Sequence, residues 1–199
     1  HVLTATRSLR LPNALMPPLM NNHGNFIGSL GNVARYLGAQ AEALGVDAIN
    51  TDIGWHEAGV PTIVTSVPRA AFVDVTARLR PHVCLPLVAT NRINMPATAE
   101  ELLERGDAQL VQVARPLLAD PEWANKARDE RSEEINTCIG CNQACLDHAF
   151  VHKKVSCLVN PRAGRETDLV LAPTRSAKRV AVVGAGPAGL SAAVSAAEC

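Results

Sequence analysis

Four of the six cysteines fall within twenty positions: Cys138, Cys141, Cys145 and Cys157, separated by two, three and eleven residues. Paired disulfides, a structural zinc and an iron–sulfur cluster are the three chemistries that crowd thiols in this way. A closed all-cysteine zinc site typically uses two C-x2-C knuckles. Only Cys138 and Cys141 form one here, so the spacing favours a four-thiolate 4Fe-4S cluster and leaves zinc as the alternative. Cys84 sits in a predicted core strand and reads as a small buried hydrophobe, and Cys199 is the last residue.

A second chemical signal lies near the end. Val180–Val183 is a short β-branched run that leads into Gly184, Gly186 and Gly189 in a G-x-G-x-x-G arrangement, followed by an alanine-rich helix. Strand, tight turn and helix N-terminus are the context in which backbone amides receive the pyrophosphate of a dinucleotide. A glycine-rich turn without a ligand is the bland alternative. The acidic residue expected about twenty positions later, for the ribose, falls past Cys199.

Composition limits what else the chain can do. At 47 % hydrophobic and 19 % charged it is ordinary for a globular protein. Nineteen basic residues balance nineteen acidic ones and aromatics make up 3 %, which argues against nucleic acid as a partner. No apolar run approaches a membrane span, and Pro12, Pro17 and Pro18 interrupt any signal-like core. A cytoplasmic protein is expected, where disulfides rarely persist.

The elements that must position these groups alternate between helix and strand. Residues 34–45, 70–80 and 96–106 are predicted helices, the last with Thr98 as a possible N-cap and Gly106 at its end. Residues 46–53, 83–91 and 108–115 are predicted strands. That order implies a parallel sheet with helical crossovers. Residues 116–135 read as charged and helical, and residues 174–178 as a linker.

Four segments, 51–63 (TDIGWHEAGVPTI), 135–147 (INTCIGCNQACLD), 157–166 (CLVNPRAGRE) and 182–190 (VVGAGPAGL), resemble the bacterial NADPH-dependent 2,4-dienoyl-CoA reductases, relatives of trimethylamine dehydrogenase and the old yellow enzymes. The likeness runs from about residue 40 to residue 198. It implies an α/β fold: a partial TIM barrel carrying FMN over residues 1–130, an iron–sulfur segment over 131–173, and the first βα unit of a Rossmann-like domain for FAD and NADPH over 174–199. By resemblance Cys138, Cys141, Cys145 and Cys157 hold a 4Fe-4S cluster. Thr90, Asn91, Arg92, Ala114 and Arg115 are similar to the residues that hold the FMN phosphate, largely through backbone amides. His56, in GWHEA, matches the histidine beside the substrate's enoyl group, with Glu57 able to orient it; a packed surface histidine is the alternative.

The implied activity is NADPH-dependent reduction of a conjugated double bond in 2,4-dienoyl-CoA during fatty acid β-oxidation. An amine dehydrogenase of the trimethylamine dehydrogenase type and a non-catalytic 4Fe-4S electron-transfer module are the competing readings. Before residue 40 the resemblance breaks up: residues 11–24 look like a first barrel strand and residues 28–38 like a piece from far along the barrel. Tyr36 does not sit in the motif of the family's proton-donating tyrosine. The chain is therefore expected to be an internally deleted, C-terminally truncated relative with incomplete FAD and NADPH sites. It is expected to be inactive alone in turning over NADPH with a dienoyl-CoA, and prone to self-association through open sheet edges.

Overall fold

The computed structural model describes residues 30–52 and 58–199. The expectations for residues 11–24, His56 and Glu57 lie outside them. Helix α1 (Leu30–Ala43) precedes strand β1 (Ile49–Asn50), helix α2 (Val73–Leu79), strand β2 (Leu87–Ala89), helix α3 (Pro96–Glu104) and strand β3 (Leu110–Val111). The strands form one parallel sheet in the order β1-β2-β3, with Ile49 beside Leu87 and Val88 beside Leu110. Parallel neighbours need a crossover, and α2 and α3 supply the two crossovers.

The three strands predicted over residues 46–53, 83–91 and 108–115 are present but shorter than their apolar runs. Hydrogen bonds just outside the ladder extend the pairing, from Thr51 N–H to Val88 O at 3.2 Å and from Gln112 N–H to Ala89 O at 2.8 Å. Cys84, expected to be buried in a core strand, is exposed, because the chain enters the sheet only at Leu87 while Val83 is turned inward.

Glycines end the first and third helices. At α3, Gly106 N–H bonds Leu103 O at 3.0 Å and Asp107 N–H bonds Leu102 O at 3.1 Å, a Schellman closure with Gly106 at φ 73°. Gly45 closes α1 in the same way. Thr98 is not the N-cap of α3. Met95 occupies that place without a side-chain bond, and Pro96 starts the helix, where its missing N–H costs nothing.

The expected helical stretch 116–135 is broken into α4 (Arg115–Ala119), α5 (Trp123–Arg128) and a 3₁₀ turn at Ser132–Glu134. Asp120 interrupts it by turning its carboxylate back onto Glu122 N–H. Helix α6 (Leu146–Phe150) lies inside the cysteine segment and α7 (Pro187–Glu198) follows the glycine motif. The predicted strand Val180–Val183 is not formed. Among the described residues it has no strand to pair with, and Val183 is 99 % exposed.

The core gathers Val73, Ala89, Ile93, Ala99, Leu102 and Trp123 between the sheet and its crossover helices. A smaller cluster packs Val83 and Leu87 with Ile49 and Leu79. Leu102 is 1 % exposed, so Leu102→Ala should cost about 2–5 kcal/mol through lost burial and a residual cavity. Denaturant unfolding checks this; a loss within experimental error would place Leu102 outside a close-packed core.

Candidate redox site

The cysteine segment is seated on the ends of the sheet strands. Its first turn, residues 138–142, is held by four side-chain bonds to chain that follows β1, β2 and β3. Thr65 Oγ1 donates to Ile139 O at 2.8 Å, Asn142 Nδ2 donates to Ile63 O at 2.6 Å, and Asn94 Nδ2 donates to Cys138 O at 2.7 Å. The fourth runs from Arg115 Nη1 to Asn142 Oδ1.

Two residues of the turn are left-handed, Gly140 at φ 68° and Asn142 at φ 64°. Glycine and asparagine tolerate that conformation best. Gly140 has a steric reason as well: a Cβ there would stand 3.1 Å from Arg92 Nη1 and 3.3 Å from Thr65 N. The later half returns through Ser156 N–H to Ala144 O at 2.7 Å and docks on α4 through Asn160 Nδ2 to Leu118 O at 3.0 Å.

As a result Cys138, Cys141, Cys145 and Cys157 line one open cavity, together with Arg115 and Leu158. All four are free thiols, so the disulfide reading fails. Burial pushes the Cys138 thiol above its ordinary pKa, and the nearby Cys157 and Cys145 add to this, against the Gly140 N–H and the Arg115 cation. Among the described residues no three His, Cys, Asp or Glu side chains converge on a single metal ion. Four sulfurs at about 2.3 Å around one zinc would have to. A 4Fe-4S cube takes one thiolate on each of its four irons, and four cysteines line this cavity.

A part-buried ion pair fixes the approach to Cys138. Lys126 Nζ lies 2.7 Å from Asp120 Oδ2 and donates to Glu134 O at 2.9 Å. The same carboxylate oxygen receives Asn136 N–H at 2.9 Å. Burial works against the Asp120 charge, but Lys126 and the Asn136 and Glu122 amides outweigh it and hold the pKa below the usual carboxylate value.

The residues assigned to the flavin phosphate meet at the adjacent ends of β2 and β3. Thr90 is buried, and Asn91 and Arg92 are both left-handed at φ 70° and 57°. Ala114 is the N-cap of α4 and Arg115 its first residue. The arginine side chains turn toward the cysteine segment: Arg92 is buried with Nε bonded to Val67 O at 2.8 Å, and Arg115 holds Asn142. Both arginine side chains are thus engaged on the cysteine side of the strand ends. In the glycine motif, Gly184 has φ 114° and Gly186 caps α7; a Cβ on Gly189 would lie 2.0 Å from Gly184 O. Sequence reading missed Thr65, Asn94, Asn142 and the Asp120–Lys126 pair; only Asn142, next to a cysteine in a turn, carried a local signal.

Comparison with known proteins agrees in fold and in sequence. The profile of the NADH:flavin oxidoreductase / NADH oxidase family matches residues 31–134. A metal reductase of Desulforamulus reducens is 48 % identical over 164 residues, 82 % of this chain and 25 % of that protein. An NADH oxidase of Thermoanaerobacter brockii is 35 % identical over 181 residues, 88 % of this chain and 27 % of that protein. The solved structure of 2-naphthoyl-CoA reductase in complex with 2-naphthoyl-CoA superposes with a TM-score of 0.74 at 30 % identity, over 79 % of this chain and 24 % of that one. The chain thus spans about a quarter of the length of the curated relatives it matches.

Gly140→Ala should lose about 1–2 kcal/mol from the left-handed backbone alone, measured by chemical denaturation, while Gly59→Ala, which meets nothing within 4 Å, should be near neutral. Equal costs would refute the left-handed requirement at Gly140. A carboxylate with a depressed folded pKa contributes stability above its unfolded pKa and loses it as the pH falls. Unfolding free energy should therefore drop with acid as Asp120 is protonated, and Asp120→Asn should flatten that drop while costing about 1–3 kcal/mol at neutral pH. An unchanged pH profile in the variant would remove Asp120 as its source.

Proposed function

The chain belongs to the NADH:flavin oxidoreductase / NADH oxidase family, and from that premise we propose that it is the cysteine-bearing part of a flavin and iron–sulfur reductase acting on a carbon–carbon double bond conjugated to a thioester, with 2,4-dienoyl-CoA as the substrate class and NADPH as the reductant. Oxidoreduction with flavin and a nicotinamide is the family's chemistry. The observation that carries the finer reading is the set of four cysteines around one cavity, seated on the ends of parallel strands. Strand ends are where α/β barrels place their ligands. The likeness to 2-naphthoyl-CoA reductase, another reductase named for an unsaturated acyl-CoA, supports the thioester.

In this reading Cys138, Cys141, Cys145 and Cys157 hold a 4Fe-4S cluster. The backbone at Thr90, Asn91, Arg92, Ala114 and Arg115 receives the FMN phosphate. Gly184, Gly186 and Gly189 let the chain approach the pyrophosphate of FAD or NADPH. The bound groups supply the electron transfers that side chains cannot. His56 supplies a proton or polarises the thioester carbonyl, roles open to an imidazole side chain. β1 and β3 are the sheet edges among the described residues, and copies associate through them.

Anaerobically prepared protein should carry about four iron and four acid-labile sulfide per chain; stoichiometric zinc without sulfide would sink the cluster. For the substrate, chain loaded with iron, sulfide and FMN is reduced with dithionite and mixed with a 2,4-dienoyl-CoA, which should reoxidise the flavin. Reduction of the oxidised flavin by a methylated amine, with no response to the thioester, would decide for the amine dehydrogenase reading instead.

A further inference from the structure

Arg115 stands at the end of β3, where a phosphate-binding role predicts a guanidinium free to reach the flavin. Its side chain goes elsewhere. Nη1 is bonded to Asn142 Oδ1, one residue past Cys141, and the residue lines the cavity of the four cysteines. Asn142 is itself tied to Ile63 O at 2.6 Å, so the tether holding the guanidinium on that wall is fixed to the loop after β1. The second nearby cation, Arg92, is buried and committed to Val67 O.

We propose that Arg115 sets the reduction potential of the cluster held by Cys138, Cys141, Cys145 and Cys157, its guanidinium favouring the reduced state. The inference rests on the cluster reading above. Reduction adds one electron to a cage already made anionic by four thiolates, with no bond made or broken. The reduced form therefore carries the larger negative charge. A cation on the wall of a partly enclosed cavity stabilises that form more than the oxidised one, since its field is screened less than in bulk water. Net charge, hydrogen bonding and exposure are the levers by which a protein moves such potentials. Arg115 is in this sense a tuning residue, acting through charge on the cluster rather than touching substrate.

The test is an anaerobic redox titration of the chain of residues 1–199, followed by the electron paramagnetic resonance of the reduced cluster, with iron and sulfide measured on every sample. Arg115→Gln should shift the reduction equilibrium about tenfold toward the oxidised form, a fall of about 59 mV for one electron. Arg115→Lys, which keeps the charge, should stay near the native value. An unmoved potential in Arg115→Gln with full iron content overturns the inference. If Arg115→Gln does not retain iron, Leu158→Lys carries the test. Leu158 lines the same cavity and is 55 % exposed, so a cation is tolerated there; a raised potential supports charge control from this wall and an unmoved one overturns it. Native protein with zinc and no sulfide sinks the cluster reading itself, and does so before any variant is made.

Discussion

The attachment of the turn at residues 138–142 to the strand ends is the constraint on which the remaining geometry depends. Four side chains far apart in sequence, Thr65, Asn94, Arg115 and Asn142, spend their hydrogen bonds on it. Without them the cysteine turn would lose its seat on the strand ends, while the return of Cys157 is secured separately by Ser156 N–H to Ala144 O and Asn160 Nδ2 to Leu118 O. With them, the cavity wall is made partly of the sheet's own strand ends. A packed parallel sheet is stiff, so the cavity inherits its position from the core around Leu102 and Trp123.

That attachment also explains why two arginines at strand ends behave unlike surface arginines. Arg92 is buried at 8 % exposure, and burial lowers its pKa while the neighbouring Cys138 works the other way. A desolvated guanidinium is retained only where its donors are used; Nε meets Val67 O, and Nη1 reaches the space beside Gly140. Trp123 ties this layer to the core, its indole N–H donating to Asn94 O at 3.2 Å while Asn94 holds Cys138. Asn94 thus links the chemistry-bearing turn directly to the hydrophobic core.

Much of the scaffold was legible along the chain. Helices α1, α2 and α3 and strands β1, β2 and β3 arise where apolar periodicity and terminal glycines place them, because those signals act between residues a few positions apart. Boundaries were less legible. Residues 116–135 have helical composition, yet Asp120 breaks the helix by bonding Glu122 N–H and a lysine six residues on, a competition that composition does not register. Val180–Val183 has a strand's composition and no strand's structure, because β pairing needs a neighbour and propensity alone provides none.

The four cysteines, their spacing and the glycine motif were determined by the sequence itself, since the donor types and the turns they need are local properties. The tertiary structure alone decided where those cysteines sit and what faces them. Thr65 and Ile139 are 74 residues apart, and Asn142 and Ile63 are 79 apart; no window along the chain contains both partners. It also decided the direction of Arg115. A strand-end arginine can reach out to a phosphate or back to a neighbouring loop, and it turns to Asn142 because the folded cysteine turn presents an anchored carbonyl oxygen there.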